Sequence, residues 1–191
     1  MIEFKQEIMS QGVPISEAEW QAFSSHLLPQ TSKKRSTIFR QTETCKYVIY
    51  LTQGVTASIY NYDDKEIVTR FFQEGNFSTN IVSAVLKDVA SDNLIAITDV
   101  EYILIPFELF IDLFLYSNTI GIFIRKKIIA HSLENKNFTT IKTIPDTRIK
   151  YQFMLDHYPQ IMKRTPAKFI AKFLGMTPEG YSRFLASYRK S

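Results

Sequence analysis

At 191 residues with a 45% apolar share, the chain can hold one large domain, or a medium and a small one, around a real core. The single Cys45 excludes an internal disulfide framework and a cysteine-ligated zinc or iron–sulfur site, and no apolar run approaches the roughly 20 residues of a membrane span. The formal net charge of +4 hides an asymmetry: residues 1–118 hold 9 Lys/Arg against 15 Asp/Glu, whereas residues 119–191 hold 14 against 4.

Taken in chain order, Ser16-Glu17-Ala18-Glu19 is a capping box ahead of Trp20, Phe23 and Leu27, and predicts a helix over roughly 16–27. From about Thr37 to Pro106 short β-branched and aromatic runs follow one another: Ile38-Phe39, Tyr47 to Leu51, Val55 to Tyr60, Ile67 to Phe72, Leu94 to Ile97 and Tyr102 to Ile105. Gly54, Asp63-Asp64 and Gly75 punctuate them at the spacing of a compact antiparallel structure, with a polar hairpin tip over Tyr60 to Lys65. A short helix over Thr79 to Leu86 interrupts the strands.

After Pro106 the helical period returns, first over Phe107 to Leu115 and then over Thr119 to about Thr140. The longer helix carries two apolar stripes, one of Ile120, Ile124, Ile128 and His131, the other of Ile122, Ile129 and Leu133. A surface helix normally has one such face. One stripe is therefore expected to pack on the β domain and the other on the same helix of a second subunit, and the Ile120 to His131 stripe is taken as the seam. Pro145 is expected to open a further helix that Pro159 closes.

The segment Pro166 to Tyr188, PAKFIAKFLGMTPEGYSRFLASY, reads as two helices joined by a tight turn. Ile170, Leu174, Met176, Tyr181 and Phe184 have the spacing to pack the pair together, Ala171 is small at the crossing, and Gly175 suits a turn position with φ > 0. Thr177 offers an N-cap and Pro178 the first helical position. This is a helix-turn-helix pattern, whose second helix enters the DNA major groove. It lies in the basic part of the chain, where a phosphate backbone would be drawn. No nucleophile–base grouping and no Gly-rich phosphate loop occurs, and His26, His131 and His157 lack metal-ligand spacing, so neither catalysis nor a metal is expected. No leader opens the sequence, and a cytoplasmic location is expected.

A β-rich N-terminal part, a long helix and a terminal helix-turn-helix in this order resemble the Crp/Fnr family of bacterial transcription regulators, most of all its short Bacteroidetes members. The residues that carry the resemblance are Lys33-Lys34, Cys45-Lys46-Tyr47, Leu51 to Gly54, Lys65-Glu66-Ile67, Phe77-Ser78-Thr79, Arg148, Tyr151, Pro159 and Ile170 to Arg183. The resemblance implies an α+β chain with three parts. Residues 1–118 would form an antiparallel β roll of the cyclic-nucleotide-binding type (a double-stranded β-helix), 119–142 a dimerisation helix, and 143–191 the DNA-binding domain. It implies a homodimer on a palindromic duplex, RNA polymerase as a further partner, and a small-molecule effector in the β roll.

Family members that bind cyclic nucleotides hold the ribose with a Gly-Glu pair and the phosphate with an Arg-Ser or Arg-Thr pair. Thr79-Asn80 and Ala90-Ser91 occupy those places here, so cAMP and cGMP are not expected as effectors. In the recognition helix Glu179 and Arg183 match the family's base-reading pair, with Ser182 beside them, and the rival reading of the pair is a surface ion pair. Thr177, Lys163, Arg164, Lys168, Arg189 and Lys190 are expected on the DNA backbone. Gly180 stands where Ser or Thr is usual, and only three residues follow Tyr188 where many members have a wing hairpin. Both leave open a second function, a ligand-sensing or interaction module whose DNA-binding helix has lapsed.

Overall fold

The computed structural model describes residues 1–63 and 65–189. Among these residues eight strands form two antiparallel four-stranded sheets that wrap into a roll. They are β1 (Leu28–Ser32), β2 (Thr37–Phe39), β3 (Tyr47–Gln53), β4 (Thr56–Tyr62), β5 (Lys65–Phe72), β6 (Phe77–Ser78), β7 (Asn93–Ala96) and β8 (Val100–Pro106). One sheet has the order β1-β8-β3-β6 and the other β2-β7-β4-β5. Asp63, at φ 47, turns the chain from β4 into β5, and the Asp64 of the expected hairpin tip lies outside the described residues. The expected strands are all present; β1 and β6 are additions. Gly54 has a structural reason to be glycine: at φ +97 a Cβ would stand 2.4 Å from the Asp99 carbonyl oxygen.

Strand β3 is covered on both faces, which explains its unbroken apolar run. Val48 and Tyr50 point outward into a helical layer, while Ile49 and Leu51 point into the roll beside Phe72, Leu94 and Ala96. The helical layer consists of α1 (Ile2–Ser10), α2 (Glu17–Ser24), α4 (Phe107–Tyr116) and the first half of α5 (Ile120–Thr143). The capping box of α2 forms as expected, Ser16 Oγ accepting from the Glu19 N–H and the Glu19 carboxylate from the Ser16 N–H. Helix α1 went unforeseen; it buries Phe4 and Ile8, and Phe4 packs on Tyr50 at 4.6 Å between ring centroids. The short helix α3 (Ile81–Leu86) lies between β6 and β7.

Helix α5 corrects the expected seam. Ile120 and Ile124, on the stripe assigned to a partner, are 3% and 1% exposed because they fill the core against α1, α4 and β3. Ile128 is partly buried against the same core, and His131 is half-buried over the roll. Of the other stripe, Ile122 also packs on this core, while Ile129 and Leu133 face outward, 64% and 63% exposed.

Beyond Ile144, α6 (Thr147–His157) starts from Asp146, whose carboxylate accepts from the Arg148 and Ile149 N–H groups. Helix α6 ends at His157 ahead of Pro159 as expected, and Pro159 also opens α7 (Pro159–Arg164), since a residue without an N–H is tolerated at the first helical position. Helices α8 (Ala167–Leu174) and α9 (Pro178–Tyr188) complete the chain. Their domain docks on the outer face of the β4–β5 pair. Val55, Ala57, Ile59, Val68 and Phe71 share one core with Phe138, Ile141, Tyr158, Phe169, Ile170 and Phe173. No single helix among the described residues is long and apolar enough to cross a membrane.

Candidate DNA interface and effector cavity

The turn between α8 and α9 is a Schellman motif: the Met176 N–H donates to the Ala171 carbonyl at 2.8 Å and the Gly175 N–H to the Lys172 carbonyl at 3.3 Å. Gly175 takes φ 77, which the motif requires of its first residue beyond the helix. Thr177 then caps α9, its Oγ1 accepting from the Gly180 N–H at 3.0 Å. Ile170, Ala171, Leu174 and Tyr181 are buried at the helix crossing, with Met176 and Phe184 partly buried beside them. Tyr151 of α6 supports α9 from behind through edge contacts with Tyr181, Phe184 and Tyr188.

With its apolar side fixed, α9 turns Glu179, Ser182 and Arg183 outward together, all exposed or partly so and three to four residues apart. Glu179 and Arg183 make no ion pair with each other among the described residues. Of the cations expected on the DNA backbone, Lys163, Lys168 and Arg189 are exposed, with the Lys168 ammonium 4.7 Å from the Phe169 ring centroid. Thr177 is exposed, though its hydroxyl is engaged as the cap. Lys190 lies outside the described residues. Arg164 departs from expectation. Its guanidinium grips the Glu74 carboxylate in the β5–β6 turn through two bonds of 2.5 and 2.8 Å, and Glu74 also accepts from the Gly54 N–H at 2.6 Å. Burial raises the Glu74 carboxyl, but the Arg164 and backbone donors outweigh it and hold the group below the ordinary glutamate range. Arg164 therefore ties the C-terminal domain to the roll, as does the Lys172–Glu66 pair.

The family's nucleotide-holding positions are closed on one another. Asn80 caps α3 by accepting from the Ser83 N–H at 3.0 Å, and its Nδ2 donates to Ser91 Oγ at 2.9 Å and to Asp92 Oδ1 at 2.5 Å. Thr79 donates to the Tyr47 carbonyl at 3.2 Å, and Ala90, only 3% exposed, brings no polar side chain. Thr79, Asn80, Ala90 and Ser91 offer a cyclic phosphate no cation and set the Asp92 carboxylate beside it, so these residues do not fit a cyclic nucleotide.

The cavity of the roll lies beside this cluster, between the sheets, α4 and α5. Its volume is about 420 Å³, and Val48, Phe72, Phe77, Phe110 and Ile128 form apolar walls, with Thr79 the one expected pocket residue at its edge. Arg70, for which the sequence carries no site signal, lines it together with His131 and Asn135. A lone arginine in a strand normally reads as solvent-facing. Here Arg70, opposite Ser58 in the register, faces inward while the next residue, Phe71, faces α8. Among the described residues no three His, Cys, Asp or Glu side chains are grouped as a metal site.

Residues 29–117 match the sequence profile of the cyclic nucleotide-binding domain. No functionally curated protein matches the chain in sequence. Solved structures share its fold over most of its length. The c-di-GMP responsive global regulator CLP of Xanthomonas campestris superposes with a TM-score of 0.70 at 19% identity, covering 92% of each chain. A CooA mutant from Carboxydothermus hydrogenoformans gives 0.69 at 15% identity, covering 92% of this chain and 81% of the other. A CRP-family transcriptional regulator from Thermus thermophilus gives 0.66 at 13% identity and 84% of each. CLP is described as a global regulator and the Thermus protein as a transcriptional regulator. Residues 29–117 are thus similar to a cyclic nucleotide-binding domain, and with the roll, the long helix and the helix-turn-helix in this order the chain shares the fold of solved Crp/Fnr-type regulators.

Proposed function

We propose that the protein is a homodimeric, sequence-specific DNA-binding transcription regulator with no enzymatic activity, whose effector is neither cAMP nor cGMP. The observation that supports this reading best is the outward face of α9, where Glu179, Ser182 and Arg183 stand toward solvent on a helix capped by Thr177 and braced by Tyr151. Arginine can take guanine O6 and N7 in a two-pronged contact, and glutamate can accept from cytosine N4. Lys163, Lys168 and Arg189 supply charge for backbone phosphates around that face. Arg164 is left to the domain clamp. The outward stripe of α5, with Ile129 and Leu133, is the surface for the second copy. Such a dimer presents two α9 helices to successive major grooves about 34 Å apart.

Fluorescence anisotropy with a bound duplex tests the assignment. Arg183→Ala should cost about 1–3 kcal/mol and relax preference at one base pair of each half-site. Lys168→Ala should weaken all sequences alike and flatten the salt dependence. An Arg183→Ala protein with unchanged affinity and unchanged base preference would instead favour an interaction module that has kept the fold.

A further inference from the structure

Among the described residues Arg70 is the one formally charged side chain lining the roll cavity, and it is only 8% exposed. Its Nη1 donates to Asn135 and lies 2.9 Å from His131 Nε2, and its Nη2 lies 3.2 Å from His131 Nδ1 and 3.3 Å from Glu134 Oε2. Two features leave this cation under-satisfied. Its Nε–H is buried with no acceptor. His131 is neutral, its pKa pushed down to about 4 by burial first and by Arg70 second. A neutral imidazole accepts through only one nitrogen, so one of the two contacts sets an N–H against an N–H.

The counter-charge is loosely placed as well. A charge-assisted N–H···O bond normally spans about 2.7–2.9 Å, whereas Glu134 stands 3.3 Å from Arg70 and shares the same oxygen with Asn76 Nδ2 at 3.3 Å. The Glu134 side chain is 29% exposed and can turn to water. The geometry points to a binding site for an amphipathic monocarboxylate, its carboxylate on Arg70 in place of Glu134 and its apolar body against Phe77, Phe110 and Ile128. A single negative charge replaces the one that leaves, so the cavity stays neutral; a phosphate dianion would add an uncompensated charge. Away from Arg70 the wall of Val48, Phe72, Phe77, Phe110 and Ile128 is hydrocarbon, which suits an alkyl or aryl body better than a sugar.

This deepens the regulator reading by naming what the roll senses, and it rests on that reading only for the consequence. The Arg70 guanidinium lies over the rings of Phe72 and Phe138, at 4.8 and 5.6 Å. Phe138 in turn stacks on Tyr158 at 4.7 Å and meets Phe173 edge-on at 5.7 Å, both in the C-terminal domain. A ligand that re-aims Arg70 acts on the ring against which the DNA-binding domain is packed.

Calorimetric titration of the full chain with octanoate and 3-phenylpropanoate tests the site without DNA, so its outcome is independent of whether α9 binds a duplex. At least one of the two should bind, at least tenfold more tightly than acetate, which lacks the body, and than 1-octanol, which lacks the charge. Arg70→Met should lose at least tenfold. Should that variant misfold, Glu134→Gln decides: removing the internal competitor should tighten carboxylate binding several-fold. Wild-type protein that binds neither acid, 1-octanol bound as tightly as octanoate, or an unchanged affinity in Glu134→Gln would each overturn the assignment.

Discussion

Replacing Ile129 and Leu133 together with Asp should separate the dimer and leave the protomer folded. Each of these side chains is about two-thirds exposed in the isolated chain, at 64% and 63%. Complete burial of an Ile or Leu side chain contributes about 1.5–3 kcal/mol, so two residues from each of two protomers contribute about 4–8 kcal/mol at this degree of exposure. Losing the lower figure alone raises the dimer dissociation constant about a thousandfold. Sedimentation velocity at micromolar protein should therefore show monomers with unchanged helix content. Ile124→Asp is the counterpart. Its site is 1% exposed in a core with Phe4 and Phe123, so an unpaired charge there should cost about 4 kcal/mol or more and unfold the chain rather than split it. The reasoning is refuted if the Ile129/Leu133 variant stays dimeric, or if Ile124→Asp gives a folded monomer.

Other consequences can be checked separately. Phe138→Ala removes a 3% exposed ring stacked on Tyr158, and should lower the urea-unfolding free energy by about 3–5 kcal/mol. Titration with cAMP or cGMP to millimolar concentration should give no binding heat, since Asp92 and Ala90 stand where a cation is needed; a micromolar dissociation constant would contradict this. His131 binds its proton only at about 4 in the folded chain, against 6.5 for an unperturbed histidine. The unfolded chain thus holds more protons between those values, and stability should fall as pH drops through that window. His131→Gln should flatten that slope in urea midpoints measured against pH. The carboxyl of Glu74 is also depressed, so its contribution is complete above the ordinary glutamate value and is lost as pH falls through its lower folded value. Glu74→Gln should remove that part of the acid limb and speed hydrogen exchange in α7.

Local chemistry was readable wherever one short segment decides the geometry. The Ser16–Glu19 box and the Gly175–Pro178 turn formed as the residues dictate, because caps and turns depend on neighbours within about four positions. Strand β1, with the sequence LPQTS, has little strand character of its own and is held by its pairing with β8. Helix α5 was found, but its orientation was not: two apolar stripes of similar strength cannot reveal which one meets the core until Phe4 and Phe123 are in place around Ile124. The outward face of α9, with Glu179, Ser182 and Arg183, follows from spacing within one helix. The cavity does not, since it joins Arg70 of β5 to His131 and Asn135 of α5, residues more than 60 positions apart. The pairing of Arg164 with Glu74 is hidden from the sequence for the same reason, the two standing 90 positions apart.

If α9 reads DNA sequence as one half of a two-fold pair, the duplexes that the protein retains carry the record of it. Selection of bound duplexes from a random pool by the full chain, followed by sequencing, measures this directly. The account predicts an enriched inverted repeat with half-site centres about one duplex turn apart, and loss of preference at one position of each half-site when Arg183→Ala is used. A pool that is retained only through salt-sensitive binding, with no sequence enriched, would contradict it.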